Sequence, residues 1–342
     1  MRHPSLSPSR RATIASIAEE AGVSVPTVSR VLNGRSDVAA GTRSRVEAII
    51  SRRGYQRRNA AGTPASPVVD VVFHELDGAW AVEVMRGVAR VAREEGLMVN
   101  LSESASRTAP GQGWVDAVLA RRPTGVILVI FDLSPEQHAQ LTSRGIPFAV
   151  LDPAGEPAEG VPAIGSANWN GGMAAARHLL QLGHRRIGVI GGPPDLLCSR
   201  ARLDGYRAAM DMAGVAVDPA LVRSGDFHVE SGHDAGLELL RLPARPTAVF
   251  AGSDLQALGV YEAARELDVR IPEELSVVGY DDLPVARWVG PPLTTIHQPL
   301  AEMAEMAARL VISLSRGATP VTQRLDLSTN LVIRQSTGPP PA

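Results

Sequence analysis

Residues 13–55 read TIASIAEEAGVSVPTVSRVLNGRSDVAAGTRSRVEAIISRRGY, and glycines cut this stretch into three short helical patterns. Thr13 opens the first pattern, which puts Ile14, Ile17, Ala18 and Ala21 on one face and stops at Gly22. Ser24 then stands as the N-cap of a second helix, with Pro26 in a first turn where its missing N–H costs nothing. Val28, Val31 and Leu32 form the apolar face of that helix, opposite Thr27, Ser29, Arg30 and Asn33, and Gly34 ends it. A third helix is expected from Thr42, burying Val46, Ile49 and Ile50 before Gly54.

Two short helices joined by a tight Gly-Val-Ser turn, the second with an exposed polar face, have helix-turn-helix geometry. The charge distribution agrees. Residues 1–58 hold eleven arginines against four acids, while the rest of the chain holds 23 basic and 32 acidic residues. A basic head on an acidic body suits a phosphate-binding module joined to a domain with another task. A generic three-helix bundle with a wet face explains neither the turn nor the arginine excess.

Over the whole chain, 342 residues imply two or three folding units, and 44% hydrophobic residues suffice for a globular core. The chain is expected to be cytoplasmic: residues 1–11 are a polar, basic lead without the apolar run of a secretory signal, and no apolar run spans a bilayer. The single cysteine, Cys198, excludes an internal disulfide framework. A redox-sensor role for it is not expected.

From Val68 onward apolar strands alternate with amphipathic helices. The runs VVDVVF, LMVNLS, TGVILVI and PFAVLD, and later RRIGVIGG, AVFAG and LSVVGYDD, are separated by helical patterns. That rhythm implies parallel sheets with right-handed crossovers, and its break near residue 166 implies two lobes. Ligands of such sheets bind at the carboxyl ends of strands, and two facing lobes make a cleft that closes on a small molecule.

The head resembles the DNA-binding domain of LacI/GalR-family repressors, whose pattern runs T-I-x-D-V-A-x-x-A-G-V-S-x-x-T-V-S-R-V-L-N, then T-R-x-x-V and a Gly-Tyr pair; Ser16 stands where that pattern has Asp. The resemblance implies that Val25, Pro26 and Arg30 read bases, while Thr13, Ser24, Thr27, Ser29, Asn33, Thr42 and Arg43 hold phosphates. Val25 and Pro26, being apolar, suit thymine methyls. After Tyr55 the family continues P-N-x-x-A-R-x-L as a hinge helix, whereas this chain reads QRRNAAGTPASP, with Gly62, Pro64 and Pro67 all opposing helix. Two readings stay open for residues 59–67: a plain tether, or a partial hinge in which Arg57 and Arg58 touch phosphates or the minor groove.

The body resembles the effector domain of the same family through LGHRRIGVIGGP, SRARLDGYRAAM, PTAVFAGSDLQALGVYEA, IPEELSVVGYDD and PPLTTIHQPL. The implied fold is a small all-α helix-turn-helix domain (12–58) followed by a two-lobed α/β, Rossmann-like domain of the type I periplasmic-binding-protein class (68–338). The N-lobe is expected at 69–165 and 297–325, the C-lobe at 166–294 and 328–338. By position, the resemblance places effector contacts at Asn170, Arg202, Phe227, Ser253, Asp254, Asp281 and Gln298, and the loop after the first strand adds His74, Asp77 and Trp80. Stacking aromatics with Asn, Asp and Arg suit a mono- or oligosaccharide. Asp282 reads as structural, Trp288 as core before ligand, and Cys198 as a small residue near the cleft. Two segments, HELDGAWAVEVMRGV and QGWVDAVLARRPTGV, look like those of regulators of plant-polysaccharide sugar uptake, which implies a xylo-oligosaccharide or a related sugar.

Rival readings fare worse. The GGPP at Gly191 lacks the Lys-Ser/Thr of a phosphate loop, no G-x-S-x-G elbow occurs, and Asp254, Asp281 and Asp282 lack a ligand-spaced partner. No enzyme activity, metal or cofactor is expected. A sugar-transport binding protein would need a signal peptide and no basic head. The expected partners are double-stranded operator DNA and a small effector, with a homodimer to place two recognition helices. RQSTGPPPA carries no leucine heptads for a tetramer. A regulator using a non-sugar co-repressor remains the alternative.

Overall fold

The computed structural model describes residues 13–32, 38–53, 66–76, 78–104, 109–131, 133–320 and 322–341. Three helices form the head: α1 (Ile14–Ala21), α2 (Val25–Leu32) and α3 (Ala40–Arg52). Thr13 and Ser16 make a capping box at the start of α1, each side chain accepting from the other's backbone N–H, at 3.2 and 2.9 Å. Gly22 ends α1 at φ 63°, a left-handed position that only glycine takes without strain. The third helix begins at Ala40, two residues before the Thr42 expected from sequence, because Ala39 O already accepts from the N–H groups of Thr42 and Arg43. Ile17, Val28, Leu32, Val46, Ile49 and Ile50 close one small core.

The body starts with β1 (Ser66–Phe73), so Ser66 and Pro67 belong to a strand and not to the expected linker. There follow α4 (Gly78–Glu94), β2 (Met98–Glu103), α5 (Gln112–Arg121), β3 (Pro123–Val129), α6 (Pro135–Ser143), β4 (Phe148–Leu151) and β5 (Ala163–Ser166). The second half runs α7 (Asn168–Gln181), β6 (Ile187–Gly191), α8 (Leu197–Met212), β7 (Val222–Ser224), α9 (Val229–Leu240), β8 (Ala248–Ala251), α10 (Asp254–Glu266), β9 (Ser276–Asp281) and β10 (Thr294–His297). Last come α11 (Leu300–Ser315), β11 (Arg324–Leu327) and β12 (Asn330–Val332).

Two six-stranded sheets result, in the orders β11-β5-β4-β3-β1-β2 and β12-β10-β9-β8-β6-β7. Every pairing is parallel except β10 with β12. The chain passes between the sheets after β5, after β10 and after β11, so α11 and β11 return to the first lobe although they follow the second in sequence. Met303, Ala307 and Val311 of α11 pack with Val69, Val84 and Val88 in the first-lobe core. Both faces of each sheet are covered by helices, which is why the strands read as unbroken apolar runs. No helix among the described residues is long and apolar enough to cross a membrane.

Candidate functional site

On the head, Ser24, Val25, Pro26 and Arg30 are exposed at and along α2, and Thr27 and Ser29 are half-buried beside them. Thr27 N–H donates to Ser24 Oγ at 3.3 Å, and the two hydroxyls lie 2.8 Å apart, which fixes the start of the helix. Val25 is 46% exposed, an apolar side chain held outward where the helix begins. Thr13 is exposed, and Thr42 and Arg43 are half-buried on α3. Asn33, Arg57 and Arg58 lie outside the described residues, as does Asp77 of the body. Glu20 binds Arg52 at 2.5 Å and also pairs with Arg53. Both arginines thus reach back to one carboxylate on α1.

The second site is a cavity of about 140 Å³ between the lobes. Its lining comes from strand ends on both sides: Phe73 at the end of β1 with His74 and Glu75 beyond it, Asp152 after β4, Asp226–His228 after β7, Ser253 after β8 and Asp281 at the end of β9. Parallel sheets aim these loops at one crevice. Trp80 of α4 and Leu196, Cys198 and Arg202 around α8 complete the wall, with Leu255 and Leu283. The site is therefore an apolar box with carboxyl groups at its depth and rim.

Arg202 anchors the floor. Its Nε donates to Asn168 Oδ1 at 2.8 Å, Nη1 to Gly252 O at 2.6 Å and Nη2 to Gln298 Oε1 at 2.9 Å. The guanidinium lies 3.6 Å from the Tyr280 ring centroid and 5.4 Å from that of Phe227. Asp281 Oδ1 stands 3.8 Å from Nη1 and has no hydrogen-bond partner. Burial pushes the Asp281 carboxyl up to about 7, and Asp152 adds repulsion, against the attraction of Arg202. Burial likewise raises Asp152, and it raises the Cys198 thiol to about 12. Cys198 is thus a neutral buried wall residue.

Phe227 occupies a left-handed backbone position at φ 75°, and a Cβ on Gly192 would overlap its ring. Trp80 meets Phe73 edge to face at 6.5 Å, and His74 Nδ1 lies 3.3 Å from Ser104 O. Ser253 caps α10, accepting from Gln256 N–H at 3.0 Å and donating to Phe227 O at 2.8 Å.

The structure gathers His74, Trp80, Arg202, Phe227, Ser253 and Asp281 around this cavity. Three other sequence candidates fall elsewhere. Asn170 is exposed on α7, and it is Asn168, two residues earlier, that is buried against Arg202. Asp254 is fully buried away from the cavity, accepting from Leu283 N–H at 2.7 Å and Thr295 Oγ at 2.5 Å. Burial and the neighbouring Asp281 raise its carboxyl well above the ordinary range. Gln298 lies behind Arg202 and reaches the site through it. Trp288, expected in the core, is 78% exposed and lines no part of the cavity, since it follows a 3-10 turn at Pro284–Arg287 that leaves it outside. Asp282 accepts from His297 Nδ1 at 3.1 Å and from Arg334, a structural tie.

Sequence reasoning missed Asp152, Glu75, Asp226 and His228. The first ends an apolar strand run just as Asp281 does, and that shared signal marks it. Among the described residues no group of His, Cys, Asp and Glu is placed to hold a metal ion.

Known proteins match both parts. Residues 13–58 match the model for bacterial regulatory proteins of the lacI family, and residues 176–337 match a periplasmic binding protein-like domain. The transcriptional regulator CelR of Thermobifida fusca is 35% identical over 340 residues, 96% of this chain and 98% of that one. A solved CelR–cellobiose complex superposes with TM-score 0.73 at 34% identity, covering 95% of this chain and all of that one. The lac repressor dimer bound to operator and an anti-inducer superposes with TM-score 0.68 at 28% identity, covering 96% and 100%. With a helix-turn-helix head, a two-lobed body and such relatives along nearly its whole length, this chain belongs to the lacI family of bacterial regulatory proteins.

Proposed function

We propose that the chain represses carbohydrate uptake or breakdown genes and that a small sugar between its lobes releases it from operator DNA. As a member of the lacI family it is a DNA-binding transcription regulator and not an enzyme. In this reading it works in the cytoplasm as a homodimer, with two α2 helices entering successive major grooves of a near-palindromic site. Exposed Ser24, Val25, Pro26 and Arg30 would meet base edges and phosphates. Support for a dimer on DNA comes from the lac repressor complex, and support for a sugar from the cellobiose bound to CelR.

One observation carries the reading: Trp80 and Phe227, from opposite lobes, and the carboxyl groups of Asp152 and Asp281 line a single cavity. Rings suit the faces of a pyranose and carboxylates accept from its hydroxyls. A ligand that holds both lobes favours one interlobe angle. It moves the heads only by its difference in affinity for the two states, typically about 1–3 kcal/mol.

The test is operator binding by the full chain, with and without cellobiose, xylo-oligosaccharides and monosaccharides, at fixed salt. Release by one of them that Trp80→Ala weakens without changing DNA affinity supports induction. Tighter DNA binding would mean co-repression. No change with any sugar rejects the sugar reading.

A further inference from the structure

We propose that the effector of this chain is uncharged, and that the cavity turns away phosphorylated sugars and sugar acids. This rests on the sugar reading above and narrows it. Four carboxyl groups line the cavity: Glu75, Asp152, Asp226 and Asp281. Among the described lining residues only Arg202 is permanently cationic, and most of its hydrogen-bonding fork is already engaged inside the protein. Three of its N–H groups are bound to Asn168, Gly252 and Gln298, its face lies on Tyr280, and Asp281 stands 3.8 Å away.

An arriving phosphate would meet four carboxyl groups against one guanidinium whose donors are mostly taken. Asp152 and Asp281 are only 4% and 5% exposed, so once ionised their repulsion of an anion is softened little by water and salt. Losing the hydration of an anion is tolerable only where a cluster of donors replaces it. Here the deep carboxyl oxygens of Asp152 and Asp281 are acceptors when ionised, and Asp281 Oδ1 has no hydrogen-bond partner within the protein. Hydroxyl groups supply the matching donors, and Trp80, Phe227, Leu196 and Leu255 take the less polar ring faces. The effector must then come from a step that yields a free sugar, such as hydrolysis of a glycosidic bond, and not from one that delivers a phosphate ester.

The test is calorimetric titration of the full chain at about pH 8, above the range in which Asp281 titrates. Matched probes are cellobiose with cellobiose 6-phosphate, ribose with ribose 5-phosphate, and adenosine with adenosine 5′-monophosphate. In any pair that binds, the phosphorylated member should be weaker by at least about a hundredfold. Millimolar inorganic phosphate should leave the affinity of the neutral member unchanged, a check that needs no variant. Replacing both Asp152→Asn and Asp281→Asn should narrow the gap to about tenfold or less. Equal or tighter binding of a phosphorylated probe, or competition by phosphate, overturns the proposal. Binding of adenosine alone would sink the sugar reading while the charge rule stands. Silence from every probe refutes both.

Discussion

Arg202 and Gln298 join the two lobes through one hydrogen bond, Nη2 donating to Oε1 at 2.9 Å. Gln298 lies on the passage from β10 into α11, and Asn168, the second acceptor of Arg202, lies where β5 passes into α7. One buried guanidinium therefore fastens α8 to two of the three interlobe passages. A ligand that shifts Arg202 acts directly on the segments that set the angle between the lobes.

Arg202→Ala should cost stability as well as the effector response. It leaves Asp281 buried without its counter-charge and strands Asn168, Gly252 and Gln298, a loss of about 3 kcal/mol. Arg202→Lys keeps a charge but lacks the planar fork, so it should regain only part of that stability. Urea denaturation measures both. A midpoint unchanged in Arg202→Ala would show that these bonds contribute nothing.

Glu75 and His228 face each other across the mouth of the cavity at 3.5 Å, one from each lobe. Their side chains are 48% and 30% exposed, so the pair is worth at most about 1 kcal/mol. Glu75→Gln should speed effector dissociation about two- to fivefold, with operator affinity in the absence of effector unchanged. Stopped-flow tryptophan fluorescence reads the rate. An identical dissociation rate would remove this pair from any account of closure.

Asp281 gives the protein a pH signature. Its folded-state pKa of about 7 lies above the ordinary 3.8, chiefly through burial. The folded protein thus holds the proton more tightly than the unfolded chain does. Stability associated with that proton is full below the ordinary value and declines as pH rises to about 7, then levels off. Melting temperature should fall across this window, and Asp281→Asn should flatten part of the slope. Some slope remains because Asp254 and Asp152 are raised in the same sense. An unaltered slope in the variant would exclude Asp281 as a contributor.

The head was legible in sequence because its signals are local: caps at Thr13 and Ser24, a left-handed stop at Gly22 and an apolar face of period 3.6. The cavity was harder to read. Ser253 and Asp254 are neighbours after one strand, yet the turn into α10 sends the first to the cavity and the second into the core. Asn168 and Asn170 differ by two helical positions, and 200° of rotation decides which is buried. Leu196, Leu255 and Leu283 line the site, but an apolar wall residue has the same sequence pattern as an apolar core residue. Trp288 shows the reverse error, a large apolar residue left at the surface.

DNA recognition predicts two different losses. Arg43→Ala on α3 should weaken all operators alike and reduce the salt slope by about one, as a phosphate contact would. Val25→Ser at the start of α2 should leave the salt slope alone and lower discrimination at one base pair by about 1 kcal/mol. Fluorescence anisotropy across a salt series and a set of single-base operator changes separates them. Matching behaviour in the two variants would show that Val25 does not read a base.

Gly192 stands against the Phe227 ring in the cavity wall. A methyl group there would overlap the Phe227 ring, which is held close by its own left-handed backbone and by the Ser253 hydroxyl on its carbonyl. Gly192→Ala must push that ring out of the cavity wall. Losing one aromatic face should weaken sugar binding by about tenfold, while operator affinity without sugar should stay unchanged. The concentration of sugar needed for half-release should rise accordingly. Wild-type sensitivity in Gly192→Ala would mean that Phe227 packs the cavity wall without touching the ligand.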